Sequence, residues 1–101
     1  MRELPVACTL SPEALAARRE GLLAELLRRS VAHNELPNGH RLSFDSADET
    51  LSLIFRAVAA ERRCCEFLRL QITVEPGGGP IALELTGPPG TREFLTALFE
   101  S

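Results

Sequence analysis

Residues 68–85 constrain the fold of this chain more than any other stretch. Leu68, Leu70, Ile72 and Val74 alternate with Arg69, Gln71, Thr73 and Glu75. Pro76-Gly77-Gly78-Gly79-Pro80 then breaks the pattern, and Ile81, Leu83 and Leu85 resume it. Side chains of a strand point alternately to the two faces of a sheet, so this stretch predicts an antiparallel hairpin with one apolar and one polar face. An apolar sheet face has to be covered, and amphipathic helices are the cover that the rest of the sequence supplies. His40, Leu42 and Phe44, alternating with Arg41, Ser43 and Asp45, predict a further half-buried strand. Val6, Cys8 and Leu10 predict a short one over residues 5–10.

Helices fill the intervals. Ser11-Pro12-Glu13 is a helix start, with an N-cap Ser, Pro at the first helical position and an acid in the first turn. The helix is predicted to run to about residue 32, with Leu15, Leu22 and Leu26 on one face and His33 continuing that line. Residues 34–39 read as a loop, with Pro37 and Asn38-Gly39 as turn signals. Ser46-Ala47-Asp48-Glu49 reads as a capping box opening a second helix over residues 47–66, with a core face of Leu51, Ile54, Phe55 and Val58. Thr86-Gly87-Pro88-Pro89-Gly90 precedes a last helix whose apolar face is Phe94, Leu95, Leu98 and Phe99. The predicted order is β-α-β-α-β-β-α. This is an α+β, two-layer sandwich: a mostly antiparallel sheet with helices on one face, residues 1–101 forming a single domain.

Charge and composition narrow the function. The net charge is −3, and the cations alternate with Glu along the helices, as in Arg19-Glu20 and Glu61-Arg62. No basic stripe of the kind that binds nucleic acid appears. No apolar run reaches membrane-spanning length, so no membrane partner is expected. The start, Met1-Arg2-Glu3-Leu4-Pro5, lacks the apolar core of a secretory leader, which predicts a cytoplasmic protein whose thiols stay reduced. Arg and Glu on the outer sheet face allow homodimerisation without requiring it.

The concentrated chemistry is sulfur. There are three cysteines, an odd number that leaves at least one without a disulfide partner, and two of them are adjacent. At 100° per residue Cys65 falls in line with Leu51, Ile54 and Val58, and Cys64 lies on the rim of that face. Glu61 is three residues before Cys64 and four before Cys65, within reach of both. Cys8 points to the inward face of its strand. Thiolates prefer soft ions such as Zn(II), Cu(I) and Hg(II), and Cys8, Cys64 and Cys65 with Glu61 make a candidate donor set. The spacing is not that of two Cys-x-x-Cys zinc knuckles. A helix C-terminus disfavours a standing thiolate nucleophile, whereas a metal ion would displace the protons itself. Two alternatives stay open: a thiol redox protein or enzyme using the Cys64-Cys65 pair, and a structural or interaction domain with inert packed cysteines. His40 on an inward strand face and His33 at a helix end read as structural histidines. Pro76-Gly77-Gly78-Gly79-Pro80 joins two strands and lacks the phosphate-loop pattern. The prolines in Thr86-Gly87-Pro88-Pro89-Gly90 remove donors that an anion would need.

Three segments together are similar to a family of small bacterial proteins of uncharacterised function. They are Ala7-Cys8-Thr9-Leu10, Glu61-Arg62-Arg63-Cys64-Cys65-Glu66-Phe67-Leu68, and Thr86-Gly87-Pro88-Pro89-Gly90 through Glu93-Phe94-Leu95. The middle segment is the distinctive one. The resemblance implies mercury-type metal handling and singles out Cys8, Glu61, Cys64 and Cys65. Members often carry Pro directly after the second Cys, where this chain has Glu66.

Overall fold

A computed structural model describes residues 22–100. The strand expected over residues 5–10, and the first half of the helix expected after it, lie outside the described residues. Within them the chain runs α1 (Leu22–Arg29), β1 (Ala32–Leu36), β2 (Gly39–Phe44), α2 (Asp48–Cys64), β3 (Arg69–Val74), β4 (Ile81–Thr86) and α3 (Thr91–Glu100). Among the described residues the strands form one four-stranded sheet in the order β1-β2-β4-β3. Every neighbouring pair is antiparallel. The α+β, two-layer architecture is the one the alternating strands predict.

The register explains the layering. Leu42 lies opposite Leu83, Phe44 opposite Ile81 and His40 opposite Leu85. All six are buried on one face, and Leu26 of α1, Leu53, Ile54 and Ala57 of α2 and Leu95 of α3 close over the apolar ones. Burying each such Leu, Ile or Phe stabilises the fold by about 1.5–3 kcal/mol. On the other face Arg41 lies opposite Glu84 and donates from Nε (3.0 Å) and Nη2 (2.8 Å) to Glu84 Oε2. The β3–β4 hairpin turns through Pro76–Gly78, where Gly77 and Gly78 have φ of 69° and 73°. A side chain is strained in that region, which explains two of the three glycines.

Several details differ from the sequence pattern. The helix predicted to reach residue 32 ends at Arg29, and residues 32–36, predicted as helix end and loop, form β1. Ser30 donates its hydroxyl to Leu27 O (2.7 Å), and Val31 N–H donates to Ser43 O (2.7 Å), so the chain passes directly from helix to ladder. Only two residues, Pro37 and Asn38, connect the paired Leu36 and Gly39. Gly39 is needed there, because a Cβ would run into the backbone carbonyl of Leu85. β1 carries no alternating apolar signal because its inward residues are His33 and Glu35, opposite Leu42 and His40.

α2 begins at Asp48, and the predicted Ser46/Glu49 capping box does not form. Asp45 does the work instead: its Oδ1 accepts from Ala47 N–H (3.2 Å) and from the hydroxyl of buried Thr50 (2.9 Å). The helix is also rotated from the predicted face. Leu53, Ile54 and Ala57 are buried, Leu51 and Val58 are half-buried, and Phe55 is exposed. Val74, at the end of β3, is exposed too. No helix among the described residues is long and apolar enough to cross a membrane.

Candidate functional site

The rotation of α2 puts Glu61 in the middle of its buried face. On a helical wheel Thr50, Ile54, Ala57 and Glu61 fall within about 60° of one another. Glu61 is 4% exposed. Charged side chains are almost never buried to that degree unless they are paired or bind a cation. Cys65 follows one turn later, 1% exposed. Its N–H still donates to Glu61 O (2.8 Å), but with φ −122° and ψ 74° it leaves the helix. Leu68 N–H then donates to Cys65 O (3.1 Å), closing a tight turn into β3.

That turn is locked against the start of α3. Phe67 is buried and meets Phe94 edge-on, with ring centroids 5.3 Å apart. Gly87 packs beneath it, where a Cβ would come within 2.6 Å of Thr91 Oγ1 and 3.1 Å of Phe67 O. Thr91, fully buried, donates its hydroxyl to Pro88 O (2.7 Å) and starts α3. Two of the sequence segments singled out above therefore touch. Of the four candidate ligands, Glu61 and Cys65 are brought together in one buried turn. Cys64 is the last residue of α2, and its side chain lies outside what the structure describes, as does all of Cys8.

A second cluster lies at the other end of the sheet. His33 is not at a helix end but on β1, diagonal to His40 across the β1–β2 pair, a separation that long or aromatic side chains bridge. His33 Nε2 and His40 Nδ1 are 2.8 Å apart. His40 is 2% exposed, and its Nε2 lies 3.0 Å from Thr96 Oγ1 and 3.2 Å from Arg92 O. Thr96 spends its own hydroxyl hydrogen on Arg92 O (2.8 Å). Both neighbours of Nε2 can then only accept, so His40 carries its proton on Nε2 and presents the Nδ1 lone pair to His33. Phe99 meets both imidazoles edge-on, at 5.5 Å and 5.2 Å. His33, Glu35, His40, Thr96 and Phe99 line an open pocket of about 220 Å³. Partial desolvation holds the His33 imidazole below its usual basicity, a proton added beside His40 is disfavoured as well, and Glu35 opposes the shift.

The sequence pattern missed this corner because it placed His33 on a helix. The available signal was Pro37-Asn38-Gly39 midway between two histidines, since a two-residue loop there sets them on one face of a hairpin. Among the described residues no three His, Cys, Asp or Glu side chains already stand together as a metal cluster. Comparison with family models, with curated proteins and with solved structures gives no match.

Proposed function

We propose that this chain binds a soft metal ion, Zn(II), Cu(I) or Hg(II), through the thiolates of Cys64 and Cys65 together with Cys8, with Glu61 as proton acceptor or fourth ligand. The observation that carries the reading is the burial of Glu61 in the centre of the apolar face of α2, one turn before the buried Cys65. The donor set fits such an ion: sulfur is its preferred ligand, and thiols must shed protons to bind it. A carboxylate one turn away is placed to take a proton and to balance the cation's charge. The tight turn after Cys65 fixes where that side chain leaves the helix, and the packing of Phe67 against Phe94 holds the turn. The Glu-Arg-x-Cys-Cys-x-Phe pattern and the mercury-type handling that its resemblance implies favour the same residues. A reducing, cytoplasmic setting goes with the reading, since the thiols have to stay unoxidised.

The test is titration of the fully reduced chain with Zn(II), Cu(I) and Hg(II) by native mass spectrometry. One ion held by the wild type beyond those held by Cys64→Ser/Cys65→Ser is the expected result, with Glu61→Gln weakening that binding by about tenfold or more. Equal stoichiometry in wild type and variant for all three ions overturns the reading. Thiol alkylation rates would then separate a redox pair from packed cysteines.

A further inference from the structure

We infer that the His33–His40 corner is a second cation site, which takes a borderline divalent transition ion such as Zn(II) or Ni(II) on His40 Nδ1 and His33 Nε2, with Glu35 as the carboxylate donor. It shares no residue with the thiol end of α2 and does not depend on it.

His40 is built like a metal-binding histidine. Its Nε2–H is committed to Arg92 O and Thr96 Oγ1, which fixes the ring and leaves Nδ1 as a lone pair. Ligating histidines are held in this way by a carbonyl or hydroxyl behind the ring. Phe99 packs against both rings and limits their rotation. The second nitrogen is already close: the two facing atoms are 2.8 Å apart, at hydrogen-bond distance. Two nitrogens on a tetrahedral Zn(II), at about 2.0–2.1 Å each, stand about 3.4 Å apart. Replacing the hydrogen bond by an ion therefore opens the pair by only about 0.6 Å. His33 can supply that movement, because it is solvent-exposed on β1 while His40 is buried.

The proton balance is simple. In the neutral pair His33 Nε2 carries the hydrogen that it donates to His40. On binding, His33 changes tautomer: Nε2 gives up that hydrogen and Nδ1 takes one from solvent, so the ring stays neutral and both facing nitrogens become donors of electron pairs. Glu35 lies directly opposite His40 in the ladder, on the same face, and lines the same pocket. Its side chain is exposed and swings in as the third ligand, with the open side of the pocket left for water. Two imidazoles and a carboxylate suit Zn(II) and Ni(II), whereas the thiolates also suit Cu(I) and Hg(II), so Ni(II) is the ion that separates this corner from the thiol end.

Imidazole ¹⁵N spectra of the full reduced chain, recorded during Zn(II) and Ni(II) titration, test this directly. The signals report His ligation whatever the thiols do. The expected result is a saturable change at His40 Nδ1 and His33 Nε2 with Zn(II), and paramagnetic loss of the same signals with Ni(II). His33→Gln, at an exposed position that does not threaten folding, should weaken binding at this corner at least tenfold. Glu35→Gln should weaken it less. Cys64→Ser/Cys65→Ser should leave it unchanged. Imidazole signals that do not move up to about 1 mM metal, or binding that survives His33→Gln undiminished, would overturn the site.

Discussion

The thiol end of α2 and the imidazole corner of the sheet are assembled in opposite ways. Glu61 and Cys65 are neighbours because a helix repeats every 3.6 residues, so four positions in sequence are one turn in space. His33 and His40 are neighbours because two strands pair with a two-residue loop and α3 lies across them. In the first region Glu61 and Cys65 are buried, and their spacing is set by one turn of helix. The second is open on one side and hangs on three separate elements. A site made within one helix survives small shifts in packing, whereas one made between elements is only as good as their register.

Gly39→Ala should break the second region without the first, and it carries the largest expected effect. Its Cβ meets the Leu85 carbonyl, so β2 must move away from β4, at a cost of about 3 kcal/mol in urea unfolding. The His33–His40 hydrogen bond should disappear from imidazole spectra while amide exchange at the end of α2 is unchanged. An Ala variant with both stability and imidazoles intact would show that the corner does not depend on that close approach.

Cys65→Ser is the converse. It places a hydroxyl in the space of a buried thiol and should cost about 1–3 kcal/mol, leaving the imidazole spectrum as it was. A change at both ends would mean that the two regions are mechanically coupled through α3, which meets Phe67 through Phe94 and His40 through Thr96.

Thr96→Val removes one of the two acceptors behind His40. About 1 kcal/mol of stability should go, Arg92 O alone should hold Nε2–H, and cation binding at the corner should weaken by several-fold, with thiol alkylation rates unaffected. Unaltered imidazole spectra in this variant would argue that backbone contact suffices to orient the ring.

The smallest effect is the pH dependence contributed by His33. Its folded basicity lies below the ordinary value of 6.5, so between those two pH values the unfolded chain binds more protons than the folded one. Its stabilising contribution is complete above about pH 6.5 and is lost as pH falls through that window towards the lowered value. Urea midpoints of wild type and His33→Gln should converge as the pH is lowered across it. Parallel curves would mean that His33 is no more buried than it is in the unfolded chain.

Much of this protein was legible in one dimension. The alternation of Leu70, Ile72, Leu83 and Leu85 fixed a half-buried hairpin, and Leu42 with Phe44 fixed the strand that joins it, because a period of two has one physical meaning. The joint placement of Glu61 and Cys65 was legible for the same reason, as a helical period. Three things were not. The rotation of α2 that buries Glu61 and exposes Phe55 depended on which neighbours the helix met, since an apolar face of 100° or more can settle at more than one angle. β1 was hidden because it turns His33 and Glu35 inward, so its sequence carries no apolar alternation. The imidazole pair was decided by tertiary structure alone: the residues come from two strands, and the acceptors that set the tautomer come from a helix more than fifty positions away. Periodicity records which face of an element is apolar. It holds no record of which polar groups two elements will bring together, and that is where this protein places its second cluster.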